Sequence, residues 1–150
     1  MQTIKAAVCH EFGAPLVVED ILIRAPQMGE VEVTLDAVAI CHSDISYADG
    51  AWGGSLPAVY GHEAAGVVSA VGAGVVRLAE GDSVVVTMIR ACGACPSCAS
   101  GKPTICETPY DGDEGPLRTA ADGKLHQAMA CGAFAERVVV AQKQLVKITA

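Results

Sequence analysis

Four cysteines, Cys92, Cys95, Cys98 and Cys106 in "ACGACPSCASGKPTIC", constrain this chain more than any other feature. The spacing C-x2-C-x2-C-x7-C sets four soft thiolates on a short loop able to wrap one ion, and a structural zinc takes four thiolates tetrahedrally with no open position. The segment is too rich in Cys, Gly, Ser and Pro for a packed strand. It is therefore expected to be a surface lobe whose folding free energy comes largely from the metal. Two other readings fit less well. A redox dithiol at "CPSC" would ride on a thioredoxin-like strand and helix, and three interlocked C-x-x-C cysteines plus a fourth point elsewhere. A bacterial iron-sulfur pattern also begins C-x2-C-x2-C, but its fourth cysteine follows after three residues and precedes proline. Here Cys106 follows after seven and precedes Glu107.

The other cysteines are Cys9, Cys41 and Cys131, giving an odd total of seven with no signal peptide in view, which argues against a secreted disulfide scaffold. Cys9 and Cys131 are expected to be small buried apolar residues. With 150 residues, one domain with a real core is expected. Aromatics make up only 4% of the chain, so Val, Ala, Ile and Leu must build that core, and Val and Ile favour sheet. The formal charge of −7, with no cluster of Lys and Arg, excludes a nucleic-acid partner. No apolar run approaches the roughly 18 residues of a membrane helix, so a cytoplasmic protein without a membrane partner is expected.

Along the chain, "TIKAAV" and "LVVEDILI" read as strands flanking the turn "FGAP", and "EVEVTLDAVAI" alternates apolar and polar from Val31 to Leu35. "HSDISYADG" predicts a short helix with an N-cap at Ser43 and a stop at Gly50. "AGVVSAVG", "DSVVVTMI", "AFAERVVV" and "QLVKI" predict further strands, while residues 107–131 read as irregular. There is no internal repeat. Gly72-Ala73-Gly74 is not a dinucleotide loop, because Arg77 replaces the third glycine and no βαβ unit surrounds it.

A second constellation is spread out: Cys41 in "ICHSD" and His62-Glu63 in "VYGHEAAGVV", bracketed by Gly61 and Gly66. The protease motif H-E-x-x-H is excluded because its fifth position is Gly66. A mixed Cys/His set with fewer than four protein ligands is what an open, catalytic zinc requires.

"CHSD", then "GHEAAGVVSAVGAGV" and "EGDSVVV", then the four-cysteine lobe, together resemble the zinc-dependent medium-chain alcohol dehydrogenases, from about Ala6 to Ile148. The resemblance implies a mostly β fold over residues 1–150: a GroES-like β-barrel with short helices and a four-cysteine zinc lobe. It also implies a Rossmann domain binding NAD or NADP, and a downstream cysteine completing the catalytic zinc, both outside these residues. Cys41 and His62 match two ligands of that zinc, and Glu63 the adjacent carboxylate that exchanges onto the metal. Asp44 matches the carboxylate that orients the histidine ligand. Ser43 matches the hydroxyl that takes the proton from the alcohol, with zinc a Lewis acid stabilising the alkoxide so that hydride leaves for the nicotinamide. The histidine that often ends this relay is Ser46 here, which leaves the final proton acceptor open. His42 matches a position that meets the cofactor pyrophosphate, a contact a partly charged imidazole holds less firmly than Arg. Trp52 and Met129 match pocket-lining positions, with a core aromatic an equal reading for Trp52.

The implied function is the catalytic-domain portion of an NAD(P)-linked alcohol dehydrogenase, converting a small-molecule alcohol to an aldehyde or ketone, inactive alone and homo-oligomeric in the parent. Separated from its partner domain, it would expose an apolar patch near Trp52. A stand-alone zinc-stabilised binding module on the same barrel is the alternative, because fold does not dictate function. That alternative leaves "CHSD" and "GHE" together without a reason.

Overall fold

The period-two runs become strands in the computed structural model of this protein, which describes residues 1–148. β1 (Gln2–Cys9) and β2 (Val17–Ile23) form an antiparallel hairpin, its turn passing through Gly13 at φ +76°. β3 (Glu30–Val38) leads to α1 (His42–Ala48), then β4 (Ala58–Val59), β5 (Glu63–Val71) and β6 (Ser83–Thr87). The cysteine lobe holds only α2 (Pro96–Ala99) and a 3-10 turn. β7 (Leu117–Thr119), β8 (His126–Gln127), β9 (Arg137–Ala141) and β10 (Leu145–Lys147) complete the chain.

Two five-stranded sheets result, in the orders β7-β2-β1-β4-β8 and β10-β6-β5-β3-β9. They meet where β1 borders the residues just ahead of β9. Ala7 donates to the Phe134 carbonyl at 2.8 Å, and Glu136 donates to that of Lys5 at 3.0 Å. This junction makes the sheet a nearly closed barrel, which removes most of the unpaired edge an open sheet would leave. The fold is thus mostly β with few helices. The interior is aliphatic: Val31, Val33, Val68, Val84, Val86 and Val138 pack in one cluster, and Ile4, Val8, Ile21, Ile23 and Leu125 in another. Cys131 is fully buried in the first cluster, and Cys9 is fully buried in a third, smaller one with Ala58, Tyr60 and Ala128.

Gly66 lies opposite Leu35, beside an irregularity in the β3/β5 register. A Cβ there would come 2.1 Å from the Thr34 carbonyl oxygen, so only glycine lets β3 approach β5 this closely.

Three local expectations change. The helix begins two residues earlier than an N-cap at Ser43 would place it: Cys41, with extended backbone at φ −94° and ψ 154°, is the N-cap and Ser43 lies inside the first turn. The reason is Asp44, whose carboxylate accepts the Cys41 amide at 2.9 Å from the third helical position. Glu32, on the polar phase of the alternation, is buried. The barrel wall supplies its partners, Arg137 at 2.9 Å and Ser69 at 2.7 Å. Trp52 is no core residue: it is 59% exposed, its ring edge-on to Tyr47 at 5.1 Å between centroids.

Candidate metal centre

His62 is the hub of the second constellation. It precedes β5 and is buried, and Gly61 before it takes φ +92°, a left-handed backbone that favours glycine. A Cβ on Gly61 would stand 2.7 Å from the Phe134 amide nitrogen, so the chain threads a tight gap on its way to His62. The imidazole Nδ1 lies 3.1 Å from Asp44 Oδ1. The same carboxylate accepts the Gly61 amide at 3.0 Å and, through Oδ2, the Cys41 amide at 2.9 Å. Asp44 is buried at 2% exposure, and three N–H donors surround it. Accepting from Nδ1–H, this carboxylate selects the His62 tautomer whose lone pair lies on Nε2.

That lone pair faces other electron-rich atoms. Glu63 Oε1 is 3.6 Å from Nε2 and Ser43 Oγ is 3.4 Å away. The ligand atoms of Cys41, His62 and Glu63 all lie within 4.8 Å of one another. With Nδ1 committed to Asp44, a soft or borderline cation fits this sulfur, nitrogen and oxygen set. Cys41 and Ser43 are held on the first turn of α1, while His62 and Glu63 come from the start of β5. Asp44 ties the two segments together. An apolar hollow of about 380 Å³, walled by Ala37, Ala39, Ala64 and Val85, borders His62 and Glu63.

The four sulfurs of the lobe also lie within 4.8 Å of one another, with Cys92 to Cys98 and Cys95 to Cys106 both at 4.0 Å. A zinc with sulfurs at about 2.3 Å spaces them about 3.8 Å apart, so the lobe is shaped for it. Backbone amides point at the sulfurs: those of Ala94 and Cys95 reach Cys92 Sγ at 3.3 and 3.2 Å, and that of Cys92 reaches Cys106 Sγ at 3.3 Å. A hydrogen bond from the Thr108 side chain and those two amides bring the Cys92 thiol down to about 5. Donors aimed at sulfur favour thiolate, the form that binds metal. By contrast, burial pushes the Cys131 thiol up to about 12, in keeping with an inert core position.

Met129, at φ +51°, lines a second cavity of about 410 Å³ with Tyr47, Met88, Tyr110 and His126. Trp52 lines neither this cavity nor the apolar hollow. His42 is exposed on α1. Two buried amides carried no signal in the sequence. Gln144 Nε2 donates to the carbonyls of Thr87 and Ala130 at 3.0 and 2.9 Å, and Gln127 Nε2 to those of Cys131 and Val139 at 2.8 and 3.1 Å. They stitch the 128–131 turn, which carries Met129, to the barrel wall. Among the described residues no buried side-chain polar atom lacks a partner.

Comparison with known proteins follows this geometry. Residues 27–150 match the alcohol dehydrogenase GroES-like domain. An NDMA-dependent alcohol dehydrogenase of Amycolatopsis methanolica is 38% identical over 150 residues, covering 96% of this chain and 40% of the relative. Among solved structures, an alcohol dehydrogenase zinc-binding domain protein from Burkholderia ambifaria superposes with a TM-score of 0.91 at 39% identity, covering 99% of this chain and 42% of that one. The benzyl alcohol dehydrogenase of Acinetobacter calcoaceticus gives 0.87 at 32% identity, with 99% and 42% covered. The chain spans about two fifths of the length of the curated relatives it matches.

Proposed function

Because this chain belongs to the alcohol dehydrogenase GroES-like domain family, we propose that it is the catalytic-domain portion of a zinc-dependent, NAD(P)-linked dehydrogenase that oxidises alcohols to aldehydes or ketones. The observation that carries this reading is the Asp44–His62 pair set against Cys41 and Glu63. A structural role for His62 would not require a buried carboxylate on one ring nitrogen and three electron-rich side chains near the other.

When bound, zinc supplies a Lewis acid and the nicotinamide a hydride acceptor. Cys41, His62 and Glu63 hold the metal. Asp44 holds the His62 tautomer and ring orientation, and it fixes the α1 turn on which Cys41 sits. Ser43, its Oγ beside His62 Nε2, takes the proton that leaves the substrate hydroxyl. The apolar hollow beside Glu63 offers the substrate's carbon skeleton an apolar wall. Cys92, Cys95, Cys98 and Cys106 hold a second, structural zinc. His42, exposed on α1, meets a cofactor phosphate, and NAD(P) itself is bound mainly by a Rossmann partner domain in a homo-oligomeric cytoplasmic enzyme.

The experiment is metal analysis after dialysis, joined to an assay of alcohol-dependent NAD or NADP reduction in the full protein that carries this chain. The expected result is two zinc per chain in the full protein, one in its His62→Asn variant, and loss of activity in that variant. A variant keeping both zinc equivalents and full turnover would refute the assignment.

A further inference from the structure

The cavity that Met129 and Met88 line also carries polar groups that the reaction above leaves unused: Arg90, Tyr110, Thr108 and His126. Arg90 lies with its guanidinium carbon 4.6 Å from the centre of the Tyr110 ring. That ring is itself anchored, because the Tyr110 hydroxyl donates to Gln127 Oε1 and Gln127 is fully buried. The Arg90 plane is therefore held by cation–π stacking on a fixed ring, while its N–H groups make no hydrogen bond and no ion pair among the described residues.

The nearby carboxylates are already taken. Glu30, which feels the Arg90 charge, is engaged by Arg24 through both oxygens at 2.5 and 2.9 Å. Asp113 is held by His126 Nδ1 at 2.7 Å. The result is a pre-positioned, uncompensated cation in the wall of a cavity, on a chain whose formal charge is −7. Lone surface arginines are common, but this one is half-buried, lies over an aromatic ring and lines an open cavity.

We propose that Arg90 forms an anion subsite in this cavity, and that the anion it takes is the carboxylate of an alcohol or aldehyde substrate. The proposal rests on the dehydrogenase reading for its second clause. The cavity volume of about 410 Å³ falls within the range of small-molecule sites and admits a substituted aromatic alcohol. A guanidinium donates two parallel hydrogen bonds to a carboxylate, a geometry an ammonium does not reproduce.

The test uses the zinc-loaded protein and calorimetric titration with para-(hydroxymethyl)benzoate, its neutral methyl ester, and para-toluate, which keeps the carboxylate but lacks the hydroxyl. The benzoate is expected to bind roughly ten- to a hundredfold more tightly than the ester, the range of a charge-assisted contact. Arg90→Gln is expected to bring that ratio near one without changing the ester's affinity, and Arg90→Lys to restore part of it. Zinc content, unchanged across the variants, checks that the neighbouring Cys92 loop is intact. Equal binding of acid and ester by the wild-type protein, a preference that survives Arg90→Gln, or binding of neither ligand would overturn the proposal. Arg90-dependent binding of para-toluate equal to that of the hydroxy acid supports the anion subsite while telling against alcohol recognition. Tight, equal binding of both alcohols does the reverse.

Discussion

Removing the Asp44 carboxylate is the most informative perturbation of the candidate centre, because three buried donors depend on it. Asp44→Ala strands the Cys41 amide, the Gly61 amide and the His62 Nδ1–H, which now lie 2.9, 3.0 and 3.1 Å from its oxygens. Each stranded donor costs about 1–3 kcal/mol, and losses within one network overlap rather than add. A destabilisation of about 3–5 kcal/mol is expected, the partly overlapping cost of three stranded donors. Asp44→Asn retains one acceptor but sets an NH2 group against one of the donors, so about 1–3 kcal/mol is expected there. The assay is urea unfolding followed by circular dichroism, with zinc saturating the cysteine lobe so that its state does not vary. A parallel titration reads zinc affinity at the His62 centre, where a loss of 10- to 100-fold is expected when the partner of a ligating histidine is removed. If Asp44→Ala unfolds within about 1 kcal/mol of the wild type, the three donors are satisfied some other way and the reasoning fails.

Further perturbations separate the lobe, the barrel and the surface. Cys98→Ser is expected to abolish one zinc equivalent and to expose amides 92–106 to fast hydrogen exchange while the strand signal of the barrel persists; protection of that segment without metal would contradict a lobe folded by zinc. Gly66→Ala must push β3 from β5 to clear the 2.1 Å approach to Thr34, and about 3 kcal/mol or more should be lost in chemical denaturation; a neutral result would refute the close packing. Burial would raise the Glu30 carboxyl, but Arg24 and the Gln27 amide outweigh it and hold the group below its ordinary 4.5. Its contribution is therefore present above that value and fades as pH falls through the lower, folded one. Denaturation from neutral to acid pH should show Glu30→Gln less stable than wild type by a constant margin of about 1 kcal/mol that shrinks below about pH 4.5. A margin that does not vary with pH would be evidence against the ion pair.

Short-range chemistry was legible from the residues. The four-cysteine spacing specified a metal lobe because a loop that short has few ways to present its thiolates other than around one ion. Period two in "EVEVTLDAVAI" specified a strand, because alternate burial is local to each strand. The helix start was legible only in part. Ser43 is a good N-cap by type, but the Asp44 carboxylate, facing back to the Cys41 amide, moved the cap to Cys41. Glu32 broke the alternation because its partners, Ser69 and Arg137, lie 37 and 105 residues away.

By itself the sequence determined which atoms are available to bind metal and where the longer strands lie, but not the short β4, or β7 and β8 within a stretch that reads as irregular. Tertiary structure alone decided what stands behind and around those atoms. It brought Gly61 and His62 onto Asp44, set Gln144 against Thr87 across 57 residues, and left Trp52 in solvent while stacking Arg90 on an anchored Tyr110. The reason is physical. Ligand spacing and strand period are written in neighbouring residues, whereas burial and hydrogen-bond satisfaction depend on barrel closure between Lys5 and Glu136, 131 residues apart in the chain.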